Sequence, residues 1–270
     1  SMAMIFEKPS TRTRMSFDIA AKQLGGSSII LNPDGIHYGK GDETLKDTAK
    51  VLTEYVDIVM LRTSSHKNLE EFGKHLDIPI INGLSDKSHP CQIMSDILTY
   101  EESNGLITGK TVSWLGDGDN NMSNSLIEAA GKFKFNLKIG CPKKYAPGKK
   151  ILGWAKKNKV NLLITQKPDE AVKNSDCVMT DKWVSMNDKV NKKTKKKVLK
   201  PFQVNKKLMK KANSNAIFMH CLPVGRGEEV TDEVIDGKQS VVWRQALNRV
   251  HAQKSICLLY TSDAADEVLG

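Results

Sequence analysis

The chain has 270 residues, 39% apolar and 27% charged, with 41 basic against 31 acidic residues and a net charge of +10. That balance excludes a disordered polyelectrolyte and a fibrous chain, and leaves a globular protein with room for two modest domains. No apolar run is long enough to span a bilayer, and "SMAMIFEKP" lacks the basic and small-residue features of a signal peptide, so a cytoplasmic protein is expected. Five scattered cysteines, an odd number, fit reduced thiols. No C-x-x-C and no paired histidine spacing suggests a metal. The basic excess is mostly lysine. Its densest run, "KKTKKK" at 192–197, has no interleaved aromatic and is expected to be a solvated loop, not a nucleic-acid surface.

In chain order, the first element is a strand, "AMIF" (3–6), followed by "EKPSTRTR". Ser10 or Thr11 can cap a helix over 11–24, in which Phe17, Ala20, Ala21 and Leu24 keep helical spacing and Gly25-Gly26 ends it. Further strands are expected at 28–31, 57–61 and 78–81, with helices at 44–55 and 90–103. A boundary falls near "SNGLITGK" (103–110). Beyond it come strands at 111–115, 136–140, 161–165, 177–180 and 216–220, and helices at 122–134, 148–158 and 203–212. Most strands are continuous apolar runs, which suits parallel strands buried on both faces. The alternation predicts an α/β protein with two doubly wound parallel-sheet domains, at 1–103 and 104–237. An amphipathic helix at 238–256, with Val242, Ala246, Val250 and Ile256 roughly on one side, is expected to return to the first domain. "CLLYTSDAADE" breaks that pattern and resembles a translated sequencing adaptor, so 257–270 is expected to be a non-native tail. A core strand starting at residue 2 suggests a missing N-terminal part.

Four motifs carry chemistry. "STRTR" (10–14) places hydroxyls and two guanidinium groups at a helix start, where free backbone N–H groups and the dipole favour a phosphate. "LRT" (61–63) ends a strand, where open α/β sheets bind ligands. "HPCQ" (89–92) opens a helix, and "HCLP" (220–223) ends the last strong strand. "GDGDNNMSNS" (116–125) lacks the G-x-G-x-x-G spacing of a dinucleotide loop. Taken singly, each has an ordinary structural explanation: a turn histidine, a buried cysteine, a capped helix.

Taken in this order, with "DKWVSM" at 181–186, they resemble the aspartate/ornithine carbamoyltransferase family, and its ornithine branch more closely, from residue 2 to about 256. The resemblance implies transfer of the carbamoyl group of carbamoyl phosphate to the δ-amine of L-ornithine, giving citrulline for arginine synthesis, without metal or organic cofactor. It implies that Ser10, Thr11, Arg12 and Thr13 hold the phosphate, that Arg62, His89 and Gln92 surround the carbamoyl end, and that Arg249 also reaches this substrate. Cys221 and Leu222 fall where the two substrates meet, in a cleft between the domains. Asn121, Asp181, Ser185 and Met186 match the amino-acid positions. Catalytic roles then fall to Arg62, His89, Asp181 and Cys221, with Asp181 and Cys221 orienting the amine and easing its deprotonation. Family members assemble as trimers or multiples of trimers.

Two departures stand out. Asn187 follows Met186 where the family has glycine, and His37 lies in a loop that in the family reaches a neighbouring subunit. The alternatives are a carbamoyltransferase for another amine, such as N-acetylornithine or putrescine, a basic nucleic-acid-binding protein, and an inactive fragment that only binds anions.

Overall fold

The computed structural model describes residues 1–32, 43–184 and 191–269, with side chains through Thr261. It divides into two compact units, Ser1–Ser95 with Leu247–Gly270, and Asp96–Ala246. His37, Ser185, Met186 and Asn187 lie outside the described residues.

The first unit is built on β1 (Met2–Phe6), α1 (Thr11–Gln23), β2 (Ser28–Leu31), α2 (Leu45–Tyr55), β3 (Ile58–Arg62), α3 (His66–Gly73), β4 (Ile80–Leu84) and the start of α4 (Pro90–Asn104). Its four parallel strands run in the order β2-β1-β3-β4. Alternation along β1 and β3 explains the continuous apolar runs. Ala3, Ile5, Val59 and Leu61 pack on one face with Ala49, Leu52 and Phe72, while Met2, Met4, Ile58 and Met60 pack on the other with Phe17, Cys91 and Cys257.

The second unit contains β5 (Thr111–Leu115), α5 (Asn121–Phe133), β6 (Asn136–Gly140), α6 (Lys149–Lys157), β7 (Leu162–Thr165), α7 (Pro168–Val172), β8 (Cys177–Thr180), α8 (Lys192–Leu199), α9 (Lys206–Met209), β9 (Ile217–His220) and α10 (Asp232–Ile235). Its five parallel strands run β7-β6-β5-β8-β9. Leu115, Val178 and Phe218 from three adjacent strands share one core with Val204, Val230 and Ile235. The last helix, α11, spans Val242–Leu269.

Two expectations change. The lysine run is not a loop: it forms α8, capped by the Asn191 side chain on the Lys193 and Thr194 N–H groups, with Lys195 and Leu199 buried one turn apart. Helical structure also continues past 256, since α11 runs on to Leu269 and Cys257 is buried against the first sheet. No helix among the described residues is long and apolar enough to cross a membrane.

Each sheet has a switch point, where consecutive connections leave to opposite sides. In the first it lies at the carboxyl ends of β1 and β3; in the second, at those of β5 and β8. These are the places where an open α/β sheet leaves a ligand crevice. Phe218 is fully buried on β9 beside the second switch point. Phe218→Ala is expected to lower the unfolding free energy by about 3–5 kcal/mol in a urea titration, through lost transfer energy and a cavity; a loss below about 1 kcal/mol would show that this core collapses around the gap.

Candidate active site

The first unit gathers its polar groups around Thr13. Ser10 has extended backbone angles and accepts a hydrogen bond from the Thr13 N–H at 3.3 Å, so it is the N-cap of α1. Thr13 is buried on the first turn. Its Oγ1 accepts from Arg62 Nη1 at 3.2 Å and from Arg249 Nη2 at 3.4 Å. Arg249, on α11, also donates through Nη1 to Gln92 Oε1 at 2.6 Å. Arg249 and Gln92 are 3% and 2% exposed, so the guanidinium is buried, and the two acceptors named here are neutral oxygens. Thr11 and Arg12 lie on the same helix start, Thr11 exposed and Arg12 half-buried.

Arg62 reaches this point because Phe6 and Arg62 are paired across β1 and β3. Glu7, the next residue, locks the two strand ends: its carboxylate accepts from Thr63 Oγ1 at 2.6 Å and from the Ser64 N–H at 3.1 Å. No sequence pattern marks this role, since a single glutamate before "KPSTRTR" has nothing to set it apart.

His89 follows a tight turn in which the Ser85 N–H donates to the Ser88 carbonyl and the Ser88 N–H returns to Ser85 Oγ. Burial pushes the His89 imidazole well below its ordinary pKa of 6.5, and the positive charges of Arg249, Arg62 and Arg12 push it the same way. It is therefore a neutral imidazole at pH 7. Cys91, two residues on, donates to the Asn82 carbonyl, and burial raises its thiol to about 11, which makes it a packing group and not a nucleophile.

The second unit presents a different set. Asn120 caps α5 and, with Ser123, forms a reciprocal capping box, so Asn121 is the first helical residue. Thr180 and His220 are paired across β8 and β9, which places the residues that follow them, Asp181 and Cys221, side by side. The Cys221 thiol donates to Asp181 Oδ1 at 3.2 Å. His220 anchors this corner. Its Nδ1 accepts from the Leu222 N–H at 2.9 Å, so the proton sits on Nε2, 3.1 Å from Glu229 Oε1, and both residues are fully buried. That bond holds Leu222 in the left-handed region, at φ 57°. Asp181, His220 and Cys221 lie close enough to suggest a metal set, but both imidazole nitrogens already have partners, so the histidine is not offered to an ion.

Among the described residues, then, Ser10, Thr13, Arg62, Gln92 and Arg249 form one hydrogen-bonded cluster beside His89 and Arg12 in the first unit. Asp181, Cys221 and Leu222 form one corner of the second, and Asn121 opens α5, which follows β5 at the switch point. Glu229 and Glu7 are functional supports that motif spacing did not reveal.

The chain is similar to known proteins in sequence and in fold. Residues 1–102 match the family model described as aspartate/ornithine carbamoyltransferase, carbamoyl-P binding domain, and residues 108–260 match aspartate/ornithine carbamoyltransferase, Asp/Orn binding domain. The ornithine carbamoyltransferase of Nitrobacter winogradskyi is 51% identical over 256 residues, which cover 95% of this chain and 82% of that protein. That of Rhodopseudomonas palustris is 52% identical over 256 residues, with 95% and 82% covered. Among solved structures, the ornithine carbamoyltransferase of Pyrococcus furiosus superposes with a TM-score of 0.90 at 45% identity, covering 96% of this chain and 83% of that one. The anabolic enzyme of Campylobacter jejuni gives 0.91 at 37% identity, covering 97% and 88%. Both halves of the chain, with their strand-end clusters, thus belong to the aspartate/ornithine carbamoyltransferase family.

Proposed function

We propose that the protein transfers the carbamoyl group of carbamoyl phosphate to the δ-amine of L-ornithine, releasing citrulline and phosphate. The observation that carries this reading is the cluster of Arg62, Gln92 and Arg249 around Thr13 at the start of α1, beside the neutral His89. A compact dianion suits a pocket of guanidinium groups, hydroxyls and helix-start amides.

In this reading Ser10, Thr11, Arg12 and Thr13 hold the phosphate, with Arg249 beside them. Arg62, His89 and Gln92 face the carbamoyl end. His89, kept neutral, can donate a ring N–H to the carbonyl oxygen as negative charge grows on it. Ornithine binds through Asn121, Ser185 and Met186. Asp181 and Cys221 receive the δ-ammonium, which must lose a proton before its lone pair attacks the carbamoyl carbon. The tetrahedral species then collapses: the bond from carbon to the phosphate oxygen breaks, phosphate leaves with the electron pair, and the nitrogen sheds its second proton. No covalent enzyme intermediate is needed, because holding the reactants at near-attack distance supplies much of the acceleration. Assembly as a homotrimer fits the exposed apolar side chains Ile29, Val51 and Tyr55 of the first unit. A role in arginine synthesis follows from the product.

Purified protein given carbamoyl phosphate and ornithine is expected to form citrulline, measured colorimetrically. Turnover of N-acetylornithine or putrescine in place of ornithine would overturn the substrate assignment. Arg12→Ala should raise the KM for carbamoyl phosphate about 10- to 100-fold, from charge-assisted bonds worth roughly 1.5–3 kcal/mol; an unchanged KM would remove Arg12 from the phosphate site.

The depressed His89 also makes a stability prediction. The unfolded chain binds a proton at His89 near pH 6.5, whereas the folded chain stays neutral to lower pH. The unfolded state therefore holds more protons below that point, and stability falls as pH drops, by up to about 1.4 kcal/mol per unit. His89→Gln should flatten this part of the stability curve between about pH 5 and pH 6.5, measured by urea unfolding. A wild-type slope that survives the substitution would place the acid sensitivity elsewhere.

A further inference from the structure

One residue of the lysine run behaves unlike its neighbours. Lys192, Lys193 and Lys197 are exposed, but Lys195 is 4% exposed. Its Nζ lies 2.6 Å from Asp117 Oδ2 and 5.3 Å from the centre of the Tyr145 ring. The side chains of both ionic partners are nearly out of contact with water, at 5% and 8%. A buried lysine at a helix start, where the dipole opposes it, is costly unless it is paired. Tyr145, with the ring nearest that ammonium, belongs to a buried apolar cluster with Trp183, Val184 and Leu199.

Asp117 is the hub of the turn between β5 and α5. Its carbonyl accepts from Trp114 Nε1 at 2.8 Å and from Asn120 Nδ2 at 3.1 Å. Its Oδ1 accepts from the Asp119 N–H at 3.0 Å. Gly118 is clamped by its own N–H on the Tyr145 carbonyl at 2.9 Å, and a Cβ there would meet that same oxygen at 2.9 Å. This turn delivers Asn121 to the first turn of α5. A carboxylate left alone in this place would either take a proton or draw in water, and in both cases the bonds at Oδ1 and the direction of the turn would change.

We propose that Lys195 is a positioning residue for the amino-acid substrate, acting through its buried ion pair with Asp117 to hold the turn that presents Asn121. That role presupposes Asn121 as an ornithine contact, as proposed above. The lysine touches no reacting atom. It keeps Asp117 charged and fixed, and so sets the geometry of a neighbour on a different element.

The test compares steady-state constants for the two substrates in the full-length protein. Lys195→Met is expected to raise the KM for ornithine about tenfold, equivalent to roughly 1.4 kcal/mol, while the KM for carbamoyl phosphate stays within about twofold. Lys195→Arg, which restores a cation, is expected to return the ornithine KM to within about threefold of wild type. Should Lys195→Met not fold, Asp117→Asn gives the same reading, since it keeps the acceptor for Asp119 but removes the charge. An ornithine KM within twofold of wild type in the folded variant, equal losses for both substrates, or no recovery with arginine would each overturn the proposal. Absence of citrulline from the wild-type protein would instead strike at the activity itself, so the two failures are distinguishable.

Discussion

Three guanidinium groups bear on one buried imidazole, and most of the first unit can be understood as what it takes to hold them there. Like charges at a poorly solvated site repel, and nothing among the described contacts of Arg249 and Arg62 is a carboxylate that would cancel them. The protein instead uses neutral acceptors, the hydroxyl of Thr13 and the amide oxygen of Gln92. Such partners orient a cation without discharging it. Burial is the first cause of the depressed His89, and these positive charges add to it.

The second unit applies the same topology to the opposite charge problem. In the proposed function a substrate ammonium needs acceptors, and the β8/β9 register places Asp181 and Cys221 side by side. Here the supporting bonds lie behind the functional residues: the His220–Glu229 pair fixes the corner after β9, and Lys195–Asp117 fixes the turn after β5. In both units the proposed site residues stand at strand ends or helix starts, and Lys195 reaches Asp117 from an element far away in sequence.

The strands were legible because β1, β3, β5 and β8 are covered on both faces, and unbroken apolar runs announce that condition. The clusters at strand ends were legible as motifs, since "STRTR", "HPCQ" and "HCLP" each sit in a few consecutive residues. Short helices were not. The α3 sequence "HKNLEEFG" has two apolar residues on its buried side and relies on Ser65 as its cap. The lysine run was misjudged because composition outweighed periodicity: Lys195 and Leu199 are four residues apart, which is the spacing of one helix face. The His220–Glu229 and Lys195–Asp117 pairs were invisible for a simpler reason. No sequence pattern marks two charged residues as partners when only the packing of separate elements brings them together.

Arg249 meets Thr13 from a point 236 residues further along the chain. A chain leaving the ribosome therefore displays β1, α1 and β3 long before the last guanidinium exists, and the nascent first half holds its hydroxyl and amide donors without their final cation. The hydrogen-bonded cluster around Thr13 is therefore assembled only after α11 has been synthesised.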